Sequence, residues 1–160
     1  MQTSQEDKDI FFMRQALKEA KKAFDLDEVP IGAVIVFKDK IIAKGHNQVE
    51  LLKDATAHAE MICLTSASEY LNDWRLNETT LYCTVEPCLM CAGAILAARV
   101  KRIVWAAKDI RVGANGSWID VFSKKHPMHE VEITQNILSN ESSLLLKEFF
   151  QIKRNKTARS

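Results

Sequence analysis

His58, Cys88 and Cys91 are the residues whose types and spacing could hold a metal ion. Cys88 and Cys91 stand three apart in a segment predicted as helix over Cys88–Ala98, so their sulfurs point the same way. They fall in its first turn, where the helix dipole and free N–H groups favour a thiolate. His58 falls in the first turn of a second predicted helix. If the two helices lie side by side across a sheet, one zinc ion can sit between their N-termini. Three N/S ligands with the fourth position free is the catalytic arrangement, whereas structural sites close with four. A Cys-x-x-Cys pair alone would also suit a redox dithiol, but it would leave His58 idle. A fourth ligand is not at hand: Cys63 lies five residues beyond His58 and off its face, and Cys83 lies inside a predicted strand. Glu60, two residues after His58, separates binding a metal from using one. Zinc brings bound water to a pKa near ~7, and an unligated carboxylate beside it can carry the proton onward.

The elements that must position these groups follow from periodicity. Ile10, Met13, Leu17, Ala20 and Phe24 recur at steps of three and four, predicting an amphipathic helix over Asp7–Phe24. Pro30 and Gly32 interrupt it. Ala33–Phe37 and Ile41–Ala43, joined by Lys38-Asp39-Lys40, read as an antiparallel hairpin. A helix is predicted over Thr56–Tyr70, with Asp54 or Thr56 as N-cap. Thr79–Val85 reads as a strand, Pro87 as the first residue of the next helix, and Val100–Ala106 as another strand. This helix–strand–helix–strand order predicts parallel pairing through a right-handed crossover. Asp109–Ser117 is a loop, Val131–Thr134 a short last strand, and Glu141–Lys153 a closing helix. The fold class is α/β, with helices covering a mixed sheet.

The chain has 160 residues, enough for one domain with a full core, and its five Gly and three Pro exclude a collagen-like or Pro/Gly-rich chain. The 22 basic and 21 acidic side chains, net +1, exclude a uniformly basic nucleic-acid coat. The opening MQTSQEDKD is polar and mixed in charge, and the apolar run Cys88–Ala98 is far below the ~18 residues of a membrane span. A soluble cytoplasmic protein whose cysteines are thiols or metal ligands is the expectation.

Thr56-Ala57-His58-Ala59-Glu60 together with Pro87-Cys88-Leu89-Met90-Cys91 resembles the signature of the zinc-dependent cytidine-deaminase-like superfamily. Within it, the chain is similar to the bacterial tRNA-specific adenosine deaminases from about Phe12 to Arg154. The flanking blocks that carry this include Glu28 to Ala33, Gly45 to Asn47, Glu86 to Gly93, Gly113 to Ser117 and Phe149-Phe150. The resemblance implies a three-layer α/β/α domain around a central five-stranded mixed sheet. It implies one Zn2+ per subunit, held by His58, Cys88 and Cys91, and hydrolytic deamination of adenosine to inosine at the wobble position of a tRNA anticodon, releasing ammonia. Glu60 would be the proton shuttle. Asn47 would hydrogen-bond the base, Val29 and Ile31 would wall it, and Ala59 would lie against it. The family also points to an arginine tRNA with an ACG anticodon and to a homodimer, with Gly113–Ser117 and the apolar faces of the site helices as interface candidates. Gln48-Val49 and Ile110 depart from residues common among relatives.

The small net charge hides a gradient. Lys153, Arg154, Lys156 and Arg159 put four positive charges in 153–160, leaving residues 1–152 at −3 (+1 minus +4). The division expected is therefore 1–152, a zinc deaminase domain, and 153–160, a basic C-terminal tail. The tail suits phosphate contacts, Phe149 or Phe150 beside it could stack a loop base, and Arg111 in the Asp109 loop could engage RNA. Adjacent phenylalanines on a leucine-rich helix also suit a core, so at most one is expected to be exposed. The same zinc site would serve a small-molecule guanine or cytosine deaminase, for which the tail has no task. A catalytically silent RNA-binding subunit would have lost Glu60.

Overall fold

The computed structural model describes residues 2–160. In chain order the elements are α1 (Gln5–Asp25), β1 (Gly32–Phe37), β2 (Lys40–His46), α2 (Val49–Leu52), α3 (Ala59–Leu71), β3 (Thr79–Val85), α4 (Leu89–Ala97), β4 (Arg102–Ala107), β5 (Glu132–Thr134) and α5 (Ser139–Ala158). The sheet order is β2-β1-β3-β4-β5. β1 pairs antiparallel with both β2 and β3, whereas β3–β4 and β4–β5 are parallel. The five-stranded mixed sheet matches the expectation from sequence.

Alternation along the strands builds the two outer layers. Ala33, Ile35, Leu81, Cys83, Ile103 and Trp105 face α3 and α4, joining Ala59, Cys63, Leu64, Ala67 and Ile95 in one apolar cluster. The intervening Val34, Val36, Tyr82, Val104 and Ala106 face α1 and pack on Phe12, Met13 and Ala16. α5 lies on the α1 side, where the Ser142 hydroxyl donates to the Thr84 carbonyl. At Gly32 a Cβ would collide with the α1 backbone at Ala16 and Ala20, so the missing side chain sets how closely α1 approaches β1.

Several boundaries differ from those expected. The hairpin turn is the two-residue Lys38-Asp39, both with φ near +50 to +59°, and Lys40 already pairs with Phe37. Positive φ at both positions matches the right-handed twist of the flanking strands. The Asp39 carboxylate also accepts from Lys8 Nζ at 3.0 Å, which fastens the turn to α1. The buried face of α1 is rotated from the predicted stripe: Asp9, Phe12, Met13, Ala16, Leu17, Glu19, Ala20 and Ala23 point inward. Ile10 and Phe24 sit at its margins. Two acids on the buried face are masked to an apolar count. Asp9 is satisfied by a two-pronged Arg102 contact at 2.8 and 2.6 Å and by the Tyr82 hydroxyl at 2.8 Å.

The site helices begin later than predicted. His58 is the N-cap of α3 and Cys88 the N-cap of α4, both extended in backbone, and Pro87 stands before the helix. Asp54 closes a local turn on the Thr56 N–H and hydroxyl instead of capping a helix. The short α2 is not predicted by the sequence, because its four residues carry no period. α5 continues to Ala158, so Lys153, Arg154 and Lys156 stand on its last turns. Among the described residues no helix is long and apolar enough to cross a membrane.

Candidate active site

Strand directions bring the candidate residues to one edge of the sheet. β2 and β3 both run against β1, and β4 runs with β3. The edge where β1 starts is therefore the edge where β2, β3 and β4 end. Val29, Pro30 and Ile31 lead into β1 there, Asn47 follows β2, Glu86-Pro87-Cys88 follows β3, and the Asp109–Ser117 loop follows β4. Ligand sites of α/β sheets form at such carboxyl ends.

His58, Cys88 and Cys91 converge at this edge, their ligand atoms all within 4.8 Å of one another. His58 Nδ1 lies 3.6 Å from Cys88 Sγ and 3.5 Å from Cys91 Sγ. Tetrahedral zinc, with Zn–S of about 2.3 Å and Zn–N of about 2.0–2.1 Å, separates adjacent N and S ligands by about 3.6 Å. The donor set and its spacing fit zinc. As N-caps, His58 and Cys88 make no side-chain capping bond, so both remain free to act as ligands. The protons of the cluster are in competition. The Cys91 and His58 hydrogen bonds pull Cys88 down to about 4, and the Cys88 contact in turn pushes Cys91 and His58 up. A thiolate already favoured at Cys88 suits metal binding.

Glu60, the second residue of α3, is buried. Burial pushes its carboxyl up, while His58 and a Cys91 hydrogen bond pull it down. Asn47 is also buried and is tied to the start of α3: its Oδ1 accepts the Ala59 N–H at 2.9 Å, in place of a cap from His58. That contact occupies the acceptor end of the amide and leaves its NH2 as the donor. The Asn47 N–H donates to the Ile31 carbonyl at 3.1 Å, which fixes Ile31 beside it, and the Ile31 N–H donates to the Val29 carbonyl at 2.7 Å. Both apolar side chains are half-buried.

The expected RNA-facing residues divide. Phe149 is buried, packed edge-on against Phe24, and Phe150 is half-buried. The Arg111 guanidinium lies 5.5 Å from the Phe150 ring centroid. Lys153 pairs with Asp27 at 2.7 Å, and Arg154 is exposed. Val29, Leu51, Phe149, Phe150 and Lys153 line one cleft of about 660 Å³. Three buried groups escape a reading of the sequence. Glu28 accepts the Glu50 and Leu51 N–H groups at 3.1 and 2.6 Å, which seats α2. Glu19 faces His46 at 3.5 Å, next to Asn47. Glu86 gathers the Asp109–Ser117 loop. Glu28 and Glu86 stand in blocks that carry the family resemblance, but nothing in the sequence gives their partners, and Glu19 carries no signal.

Comparisons with known proteins match most of the chain. A MafB19-like deaminase family model matches residues 6–154. The tRNA-specific adenosine deaminase of Bacillus subtilis (strain 168) is 41% identical, over 92% of this chain and 92% of its own length. This chain belongs to the tRNA-specific adenosine deaminase family. The chloroplastic tRNA(adenine(34)) deaminase of Arabidopsis thaliana is 50% identical over 91% of this chain, which spans 12% of that longer protein. A solved structure from studies of A-to-I editing by tRNA:A34 deaminases superposes with a TM-score of 0.82. It shares 41% identity, with 85% of this chain and 99% of that one covered. The guanine deaminase of Bacillus subtilis is 33% identical at a TM-score of 0.60, covering 91% of this chain and 92% of that one. The fold is thus shared between deaminases named for different substrates.

Proposed function

We propose that this deaminase is a zinc-dependent hydrolase that converts adenosine to inosine at the wobble position of a tRNA anticodon, releasing ammonia, in the cytoplasm. The observation that carries the reading is the three-ligand cluster with buried Glu60 beside it. His58 Nδ1, Cys88 Sγ and Cys91 Sγ would hold the ion. Zinc supplies Lewis acidity that lowers the pKa of water to near ~7.

The chain's own groups do the rest. Glu60 takes a proton from the attacking water and passes it to N1 of adenine as the C6–O bond forms. It then moves the proton of the new hydroxyl to the amino nitrogen as the C6–N bond breaks, leaving a C6 carbonyl and ammonia. The Asn47 NH2 donates to an acceptor of the base, and Val29, Ile31 and Ala59 line its faces. The buried setting of Glu60 suits a group that must hold a proton between transfers.

An anticodon loop presents its base to this chemistry more readily than a duplex does, since a loop nucleotide is turned out into the pocket at less cost. The cleft from Val29 to Phe150 gives the neighbouring nucleotides a path, with Arg111, Phe150, Lys153 and Arg154 along or beyond it. We assign 1–152 to the catalytic unit and 153–160 to a basic RNA-facing end. A homodimer is part of the proposal: exposed Leu89, Ile110, Val112 and Trp118 supply an apolar surface beside the site. Incubation with an anticodon stem-loop of an ACG arginine tRNA, and separately with adenosine, cytidine and guanine, tests the substrate. Nucleoside analysis should find inosine in the RNA alone; turnover confined to a free base would overturn the reading.

A further inference from the structure

Glu86 is a carboxylate buried to 2% exposure at the end of β3, two residues before Cys88. Its own strand satisfies neither of its side-chain oxygens. Its donors come from the loop after β4: the Asp109 N–H at 3.3 Å, the Asn115 N–H at 2.9 Å, and the Ser117 N–H and hydroxyl. A buried charge is tolerable only with such partners, so the loop and the carboxylate hold each other in one arrangement. Gly113 is part of the fit, because a Cβ there would strike the Glu86 carboxylate.

The same loop grips the metal-ligand segment from outside. The Ala114 N–H donates to the Pro87 carbonyl at 2.8 Å, and Gly113 bridges Cys88 as an isolated antiparallel pair. Trp105 Nε1 donates to Asn115 Oδ1 at 2.8 Å, anchoring the loop to the sheet. The loop's other arm carries Arg111 to the Phe150 ring. One carboxylate therefore fixes a backbone mould behind Cys88 and the placement of a cation at the cleft.

We propose that Glu86 is a positioning residue, whose carboxylate locks the Asp109–Ser117 loop against Pro87-Cys88 and thereby holds the Cys88 ligand in register with His58 and Cys91. It touches neither substrate nor metal. The inference rests on the metal reading above. Groups that orient metal ligands typically cost 10–100-fold in metal affinity or activity when changed.

The test uses the full chain loaded with zinc, in wild type, Glu86→Gln, Gly113→Ala and Asp9→Asn. Glu86→Gln keeps the shape but can turn an NH2 toward the loop's N–H donors. Gly113→Ala crowds both the carboxylate and the Asp109 carbonyl, parting carboxylate from loop without altering its charge. Asp9→Asn breaks a buried carboxylate network outside the ligand and loop segments, as a control for general destabilisation. Zinc release to a chromophoric chelator should be at least ~10-fold faster in the Glu86 and Gly113 variants and unchanged in Asp9→Asn. The thiolate-to-cobalt absorption of the cobalt-substituted protein should shift in the same two variants. Wild-type release and spectra in both would overturn the proposal, as would equal acceleration in Asp9→Asn. If Glu86→Gln does not fold, Glu86→Asp, which keeps the charge but shortens its reach to the loop, takes its place with the same expected outcome. Failure of the wild type to bind zinc would overturn the metal reading, and this one with it.

Discussion

Glu60 and its neighbours divide binding from chemistry, and substitutions should divide them too. Glu60→Ala is expected to keep about one zinc per chain and lose turnover by at least ~10²-fold, since proton transfer is worth roughly 10²–10⁴. Cys88→Ala should lose the metal. Metal analysis of the two purified variants checks both, and zinc loss in the Glu60 variant would mean that a ligand had been taken for a shuttle. Asn47 has two tasks, one to the base and one to Ala59. Asn47→Ala should therefore raise KM for the stem-loop and also lower stability by about 1 kcal/mol, the usual cost of an N-terminal helix cap.

α1 depends on a polar contact that apolar periodicity does not reveal. Burial works against the charged form of Asp9, yet Arg102, Tyr82 and Gln5 together hold its carboxyl below the ordinary value of 3.8. The stabilisation is therefore complete above that ordinary value and lost as pH falls from it through the lower folded value. Asp9→Asn should cost roughly 3 kcal/mol at neutral pH and remove this part of the acid dependence, measured by denaturant unfolding at pH 7 and below pH ~4. The strands are legible in the sequence because Val, Ile and aromatic residues cluster in short runs, near-continuously apolar as befits strands covered on both faces. Thr79–Val85 agrees to the residue. Helix starts are not legible in this way, since His58 and Cys88 cap from extended backbone and carry no side-chain capping bond. The rotation of α1 is hidden because Asp9 and Glu19 count as polar whichever way they face. The metal cluster is readable from residue type and spacing, whereas Glu86 becomes visible only through the loop that folds onto it.

Charge is distributed across the molecule so that the positive end lies beside the cleft. α5 carries the basic residues on rigid helical turns to Ala158, not on a loose tail. Lys153 is engaged with Asp27, and Arg154, Lys156 and Arg159 have no acidic partner among the described residues. Truncation after Ile152 should raise KM for the stem-loop with little change in kcat. It should also flatten the salt dependence of binding by about 1 in slope for each phosphate that the shortened helix no longer reaches. A salt series of KM on both chains reads this directly. The proposed reaction is hydrolysis at one nucleotide by one site. Reaction of the zinc-loaded protein with a wobble-adenosine stem-loop in oxygen-18 water, followed by mass analysis of the digested RNA, tests it most directly. Heavy oxygen is expected on inosine from the wobble position alone, and none with Glu60→Ala; an unlabelled or unconverted wobble nucleoside would overturn the proposed reaction.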